Sequence, residues 1–497
     1  MRALTVRVEH ARRLAARLNG APPQRLRFWL RLILVAVLLG LISHGHFAGS
    51  GDPVHYMTIA RSLVFDGDLD VANDYTDPDT LIQKGGLEMG AHARTGPGGV
   101  VRPVHDVGLP LISAPYFAAA YAAAKYLTPL LPEGLRRRAK LDEWIMLRQL
   151  MSLGMIVAAA WLAGMLFDTC LELTGRRAAS WLGTMLWALS PPILSHAYVF
   201  FPEIPGALVA LALFRAGSRV REGAPWRCLA LGLGAGLMSF LHVRYAPLGL
   251  AFFLLLALRL RQDTRRLGAL SLGFLAATAA RTLLNLHLWG TWLTTPHASL
   301  GRWTGGGEQV RGMLERAAGL AFDQEHGLLL WAPVYLLAPA GLWLLRGFAA
   351  RAAAEIVVLG AAYLLPILSP LLNAHGWRGG WSPAARFLVP IAPLLGLLVV
   401  VALSQRRGRG LLFGLVGVQV LIDAALWSRP MLQWSDGTGK APFFLAVGGD
   451  GLAAALPSLT HSGGWEWMRL LGLAVLWMVA TWALARGRAP AAETPGR

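Results

Sequence analysis

Three side chains that could do acid–base chemistry stand close together near the amino terminus. Asp52, His55 and Tyr56 fall within a single five-residue stretch. An ionised carboxylate can take a proton from a hydroxyl group, and an imidazole or a phenol can hold a substrate by hydrogen bonds. Asp52 also precedes Pro53, a pattern typical of a helix start with aspartate as the N-cap and proline in the first helical position. The capping and catalytic interpretations are compatible, and the sequence leaves both open.

Further polar residues stand beside apolar segments, where a site at a membrane surface would need them. A planar guanidinium group can bind two phosphate oxygens at once, so arginine suits phosphate binding. For Arg386 the alternative is a side chain that only reaches the interface, and Arg281 could simply pair with a neighbouring helix. Besides His55 and Tyr56, the candidates for substrate binding are Asp106, Glu203, His242, Arg244, Arg378 and Arg386.

The polar residues of the sequence form no complete metal-binding pattern. The sequence has no ligand spacing of the zinc-binding type. Asp66, Asp68 and Asp70 alternate as in a calcium loop, but Val71 stands where that loop needs glycine, and Asp77 where it needs glutamate. We therefore expect a solvated turn there, no metal site and no cofactor, although the sequence leaves a divalent cation open.

Long apolar segments separate these polar residues. Of the whole chain, 55% is hydrophobic and only 15% is charged. A bilayer core of about 30 Å takes roughly 20 apolar residues per helix, so we predict an all-α polytopic membrane protein with about 12 transmembrane helices (roughly 11 to 13) rather than a soluble enzyme. A large first external loop should contain juxtamembrane helices. The predicted spans are 28–48, 145–167, 178–199, 204–219, 226–242, 245–260, 267–288, 327–346, 354–372, 386–404, 410–427 and 466–485.

Basic residues cluster in the short connections between the apolar segments. The net charge is +18, but no basic surface interleaved with aromatic residues is present, which argues against nucleic acid as a partner. Cytoplasmic loops carry the excess of lysine and arginine, which places both termini inside. The first apolar run is too long for a signal-peptide core, so we predict an uncleaved span. The predicted organisation is a cytoplasmic basic amino terminus (1–27), a catalytic membrane module (28–288) with an external loop (49–107), a membrane region with further external loops (289–485) and a cytoplasmic tail (486–497).

One segment, residues 108–131, is apolar enough to cross but conflicts with this orientation. The basic cluster 136–140 after it looks cytoplasmic, yet counting 108–131 as a span would move six other basic sites outside. Tyr116, Tyr121 and Tyr126 give the segment amphipathic character. We therefore predict a helix that lies at the interface or re-enters the membrane.

The residues after the first span carry a family resemblance. Asp52 is followed four residues later by Tyr56, and Gly67–Asp68 comes where the helix would end. This pattern resembles the first-loop signature of the GT-C superfamily, the multi-spanning glycosyltransferases that use polyprenyl-phosphate-linked sugars. The protein O-mannosyltransferases and the lipid A aminoarabinose transferases belong to it. Residues 201–205 (FPEIP) and 323–333 (DQEHGLLLWAP) also look like elements of this family.

The resemblance has one departure, at the position after Asp52. The family commonly has an acidic pair there, and in this chain the second member is Pro53. The chain must therefore do without the second acid or supply it from Asp106 or Glu203.

The resemblance implies a GT-C-like fold and a glycosyltransferase at the outer face of a bacterial plasma (inner) membrane. The donor would be a polyprenyl-phosphate sugar, and the acceptor a hydroxyl group of a lipid, glycan or protein. With Asp52 as general base, direct displacement would invert the anomeric configuration. The alternatives are a transporter or a flippase for lipid-linked sugars, and a catalytically silent relative. The sequence shows no internal repeat, and its charges gather on the predicted outer side, which argues against a transporter.

Overall fold

The computed structural model describes residues 51–485, apart from 79, 84–87, 293–300, 302–304, 374–375, 406–408, 436 and 460–463. The predicted amino terminus 1–27, first span 28–48 and tail 486–497 lie outside the described residues. In chain order the α-helices are α1 Asp52–Arg61, α2 Ala72–Thr76, α3 Gly108–Leu127, α4 Glu133–Arg138, α5 Glu143–Thr174, α6 Arg177–Leu189, α7 Ile193–Ala197, α8 Glu203–Gly217, α9 Pro225–Leu241, α10 Ala246–Leu260, α11 Thr264–Trp289, α12 Gly306–Phe322, α13 Ala338–Phe348, α14 Ala350–Leu368, α15 Ala392–Leu403, α16 Arg409–Ser428, α17 Pro442–Ala455 and α18 Gly464–Ala485.

The helices fit the predicted all-α membrane protein. Within the described residues, five helical stretches are long and apolar enough to cross a membrane. Each of them overlaps a span predicted from the sequence. They are Glu143–Thr174, Val243–Leu260, Thr264–Trp289, Ala350–Leu368 and Arg386–Leu403.

The longest helix, α5, extends beyond its predicted span 145–167 at both ends. It begins where the Asp142 carboxylate accepts a hydrogen bond from the Ile145 backbone N–H at 2.7 Å, and it ends at Gly175, which adopts the left-handed conformation. Its 32 residues make it about 48 Å long, at 1.5 Å per residue. This length exceeds the bilayer core, so the polar end turns of α5 reach the surface.

The predicted span 178–199 is wrong as a single helix. Helix α6 ends at Leu189, and α7 begins only at Ile193. Pro191 and Pro192 lie between them. Proline has no backbone N–H and its ring clashes with the preceding turn, so two in succession break the helix. The prediction rested on the length of the apolar run, which does not reveal a helix break at proline.

The predicted span 327–346 is also wrong over its first third. Residues 327–332 form turns rather than a helix, a 3₁₀ turn covers Pro333–Leu337, and α13 begins at Ala338. The side chains of Asp323, Gln324 and Glu325 are fully buried and hold loop backbone. Asp323 accepts from the Leu459 N–H, Gln324 from Ala441, and Glu325 from Gly437 and Gly439. Residues 323–327 therefore dock the loop around 437–459 and do not start a span.

Glycines allow α9 and α11 to pack closely. A Cβ atom on Gly232 would come within 2.0 Å of the Leu270 carbonyl oxygen, and one on Gly273 within 2.2 Å of the Leu229 carbonyl oxygen. The two backbones can approach this closely only because both positions lack a side chain. The pair carries His242 at the end of α9 and Arg281 within α11.

The predicted external loop 49–107 contains short helices, as expected, and a β-hairpin. After α1 the chain makes a π-helical turn, which ends at Gly67 in the left-handed conformation. Strand β1 (Ala93–Thr95) pairs with antiparallel β2 (Val101–Pro103), and Arg94 lies opposite Arg102. The hairpin therefore brings residues just before β1 close to residues just after β2.

Helix α3 covers most of the segment 108–131, which was predicted to lie at the interface. It runs unbroken for 20 residues through Pro115 and packs against α1 and α5. Its exposed side includes Leu111, Ile112 and Tyr126. The interfacial or re-entrant placement of this helix stays a prediction.

Candidate functional site

Asp52 is the first residue of α1, but it does not cap that helix. The N-cap is Gly51, and no side chain accepts a hydrogen bond from the first turn. The capping interpretation is therefore wrong: the Asp52 carboxylate points instead to Arg386, whose Nη1 lies 2.9 Å from Oδ2. The side chain of Asp52 keeps 26% of its surface exposed, so it can be reached from outside.

Arg386 links this carboxylate to a second one. Its Nε donates a hydrogen bond to Glu203 Oε1 at 2.7 Å, and its Nη1 also donates to the Gly379 carbonyl at 3.2 Å. The guanidinium carbon lies 4.1 Å from the centroid of the Phe201 ring. Arg386 is buried and held on several sides, so its role is to position Asp52 and Glu203 relative to each other.

Glu203 begins α8 and is 1% exposed. A carboxylate is favoured at a helix amino terminus by the helix dipole. Its Oε2 has no hydrogen-bond partner among the described residues, and the same holds for the hydroxyl groups of Tyr245 and Tyr363. Buried polar atoms are normally hydrogen-bonded, so this group of unpaired atoms indicates where a polar ligand or water binds. Of the two acids named as alternatives to the one missing at Pro53, Glu203 is the one that shares Arg386 with Asp52.

Tyr56 lies beneath Asp52, completely buried. Its ring is 4.9 Å from that of His105 and 6.5 Å from that of Phe201, measured between centroids. Burial is the main cause that raises the pKa of the Tyr56 hydroxyl. The carboxylates of Glu203, Asp52 and Asp106 lie within electrostatic range and raise it as well. Tyr56 is thus a neutral hydrogen-bonding group on the buried side of the site.

Asp106 is buried and fully engaged elsewhere. It forms an ion pair with Arg281 and accepts a hydrogen bond from the Val243 N–H at 2.9 Å, with His242 Nδ1 3.8 Å away. These contacts fix the break between α9 and α10. Arg281 thus pairs with a residue that precedes α3, and Asp106 and His242 shape the turn that carries Arg244.

Arg244 is the predicted cation with the most freedom to bind an anion. It is half-buried, and its guanidinium carbon lies 3.7 Å from the centroid of the Phe387 ring. It forms no ion pair within the part of the chain that the structure describes. Tyr363 lies within electrostatic range of both Arg244 and Arg386, so the two arginines border the same region.

Arg378 does not join this group. It is exposed, donates to the Leu459 carbonyl at 3.2 Å and lies beside the Trp377 ring. These contacts place it at the docked loop near Asp323. The nearby Gly379 is the residue of this segment that reaches the site, through its carbonyl to Arg386.

Three histidines complete the surroundings of Asp52, and sequence reasoning found only one of them. His55 stacks on His92, with ring centroids 3.5 Å apart, and its Nδ1 lies 2.6 Å from the Tyr75 hydroxyl. His92 Nδ1 lies 2.8 Å from His105 Nε2, and both nitrogens are 3.9 Å from Asp52 Oδ1. His92 and His105 flank the β-hairpin, whose turn at residues 96–99 is rich in glycine. That turn was the sequence signal that could have indicated that the two ends of the hairpin meet.

Local electrostatics keep Asp52 ionised. Burial raises the pKa of the Asp52 carboxyl. The nearby Arg386, His105 and His92 together outweigh burial and hold that pKa well below its ordinary value. Burial and the neighbouring His92 lower the pKa of His55 to about 3, against the opposing effect of Asp52, so His55 is neutral at neutral pH. The site therefore presents a permanent anion to anything that enters.

No protein family, curated protein or solved structure matches this chain. Its activity must therefore be inferred from the side chains themselves. An accessible carboxylate, a buried second acid, an arginine bridging the two and a second arginine nearby can bind an anionic group and accept a proton beside it.

Proposed function

We propose that this protein is a GT-C-like membrane glycosyltransferase of about 12 spans, which transfers a sugar from a polyprenyl-phosphate donor to a hydroxyl acceptor at the outer membrane surface. The observation that carries the proposal is the Asp52–Arg386–Glu203 arrangement. It joins the start of the first-loop helix to the ends of two apolar helices, and Asp52 stays accessible. A carboxylate is thus held where a helix bundle meets the loops around it.

The helix ends around Asp52 belong to one side of the bundle. Arg244 precedes α10, whereas Arg259 near its other end pairs with Glu355. Glu203 begins α8, whereas Arg215 near the end of that helix pairs with Asp168. The orientation predicted from the basic clusters of the sequence puts the helix ends that carry Arg244 and Glu203 outside. A lipid-carried donor could then reach the site with its phosphate at the surface and its chain in the bilayer.

The chemistry needs three bond changes. The acceptor oxygen forms a bond to the anomeric carbon, and the bond from that carbon to the phosphate oxygen breaks, leaving its electron pair on the phosphate. The hydroxyl proton goes to Asp52. Because the pKa of Asp52 is low, proton transfer should follow lengthening of the bond to the leaving phosphate. Arg244 would bind the departing phosphate, since its guanidinium is not already committed to a carboxylate.

Release of polyprenyl phosphate tests the proposal without knowledge of the acceptor. Purified full-length protein in lipid nanodiscs would be incubated with polyprenyl-phosphate sugars and membrane extract, and the freed lipid phosphate measured. Asp52→Asn should lower release about 10²–10⁴-fold, the usual contribution of a general base. Asp68→Asn, in the exposed turn after α1, is the matched control and should retain release. Equal release by the two variants would refute the role of Asp52, and movement of the donor across vesicles without any release would favour a transporter.

A further inference from the structure

The imidazole pair beside Asp52 has the composition of a metal site. Two neutral imidazole nitrogens and one carboxylate oxygen are the ligands that Zn²⁺ and its first-row neighbours prefer. We propose that His92 Nδ1, His105 Nε2 and Asp52 Oδ1 bind one divalent transition metal ion, Zn²⁺ by preference. The three ligand atoms all lie within 4.8 Å of one another.

The distances between these atoms fit one ion. They form a triangle with sides of 2.8, 3.9 and 3.9 Å, and the point equidistant from its corners is about 2.1 Å from each, its circumradius. Zinc binds imidazole nitrogen at about 2.0–2.1 Å and carboxylate oxygen at about 2.0–2.2 Å. Calcium needs six or more oxygen ligands at about 2.3–2.6 Å, so this cluster does not suit it.

Contacts outside the triangle orient His92 and Asp52. The His92 carbonyl accepts from the Val104 N–H at 2.9 Å, which extends the hairpin to the histidines themselves. The His55 ring lies flat on His92, with only 12° between the planes. Arg386 donates to Oδ2 of Asp52, so Oδ1 is left to face the imidazoles, and the second lone pair of Oδ2 remains for the acceptor proton of the proposed transfer. Such supporting contacts are typical of metal ligands.

Charge balance favours a cation at this place. Without an ion, Asp52 and Glu203 outnumber Arg386, and Arg244 beyond them only restores neutrality, so the site has no net attraction for an anionic donor phosphate. A divalent cation makes the site positive. The buried site would then attract the phosphate that Arg244 is placed to bind.

The ion would stay open to an outside ligand. An ion equidistant from the three atoms lies in their plane, so its faces remain free, and three protein ligands with an open position are the pattern of catalytic rather than structural zinc. The side chains of Asp52 and His92 are 26% and 30% exposed, so water can reach the ion. Binding of a substrate oxygen there rests on the proposed sugar transfer, whereas binding of the ion does not. The competing interpretation is a direct N–H···N hydrogen bond between His92 and His105 with no ion.

Metal binding can be measured with Co²⁺, whose visible absorption reports a coordination number of four or five. Full-length protein in detergent would be stripped with a chelator and titrated with Co²⁺, then competed with Zn²⁺. We expect one equivalent to bind. Loss of an outer contact to a ligand costs about 10–100-fold in affinity, so His92→Ala or His105→Ala, which removes a ligand itself, should cost at least about 100-fold. His287→Ala, an exposed histidine on α11, is the matched control and should bind as the wild type does.

Thermal unfolding in the presence of a chelator distinguishes a variant that has lost only a metal ligand from one that no longer folds. His105→Gln and Asp52→Asn serve as conservative variants, which should unfold like the metal-free wild type but gain no stability from Zn²⁺. The proposal is overturned if stripped wild-type protein binds no more Co²⁺ than the double variant His92→Ala/His105→Ala. Metal binding without release of lipid phosphate would support this site and count against the proposed transfer. Release of lipid phosphate by protein that binds no metal would support the proposed transfer and count against the metal site.

Discussion

Arg386 Nη1 lies 2.9 Å from Asp52 Oδ2 while Nε of the same guanidinium lies 2.7 Å from Glu203 Oε1. One planar group thus fixes the separation of two carboxylates that come from different helices. Lysine has the same charge but a single point of attachment, so it cannot reproduce this bridge.

Arg386→Lys should therefore lower release of lipid phosphate at least about 100-fold, since a displacement of about 1 Å at a reacting group has that effect. The measurement is the release assay, with folding followed by gel filtration. Arg346→Lys is the control, because Arg346 also stacks on an aromatic ring, that of Trp343, but lies away from the site. Release of lipid phosphate by Arg386→Lys at the rate of the wild type would show that the two-carboxylate bridge is not needed for the reaction.

Arg244→Gln should weaken donor binding and leave the fold intact. The guanidinium rests on Phe387 and has no carboxylate partner in the described part of the chain, so its removal strands no buried charge. A charged hydrogen bond is worth about 1.5–3 kcal/mol, which corresponds to a rise in the KM for the donor of about 10–150-fold. Arg227→Gln, which removes an exposed arginine stacked on Trp226, should leave the KM unchanged. An unchanged KM in Arg244→Gln would remove Arg244 from the phosphate site.

Asp106→Asn should act on stability instead of chemistry. It leaves the buried Arg281 without its counter-charge, and breaking such a pair costs about 3–5 kcal/mol. Denaturant titration of the protein in detergent would give this value. Asp450→Asn breaks an exposed pair with Lys440 and should leave the denaturant midpoint unchanged. A stable Asp106→Asn protein that lacks activity would instead place Asp106 in the reaction.

Gly273→Ala should destabilise the packing of α9 against α11. The added methyl group would meet the Leu229 carbonyl oxygen at 2.2 Å, and overpacking of this kind costs about 1–3 kcal/mol. The same denaturant titration measures it. Gly268, on the same helix, has open space around its Cβ position, so Gly268→Ala should be neutral or slightly stabilising. Equal midpoints for the two variants would contradict the close approach.

Labelling of introduced cysteines tests the interfacial placement of α3. If α3 does not cross, Arg138→Cys should react with an impermeant thiol reagent from outside and Arg177→Cys only from the cytoplasm. These two positions bracket α5, which is long enough to cross. The endogenous Cys170 and Cys228 are buried, and the unmodified protein gives the background. The opposite labelling pattern would make α3 a true span.

The sequence predicted the helices well where apolar length alone decides, as for α5 and α11. It failed at Pro191–Pro192 and at residues 327–332, where backbone geometry and buried polar contacts override hydropathy. Asp52 lies among charged residues, but its partner Arg386 could be identified only in three dimensions. His92 and His105 were missed because pairing across a hairpin is not visible as a ligand spacing.

Arg386 follows Glu203 by 183 residues in the chain. At about 5–20 residues per second, synthesis of that stretch takes roughly 10 to 40 s. Throughout that interval α8 and the first external loop hold acidic groups whose partner has not yet been made. An unpaired carboxylate resists leaving water, so we expect the helices to close around Glu203 only after Arg386 has been made. The site is therefore assembled late, and a chain that stops short of Arg386 should be left open for quality-control proteases.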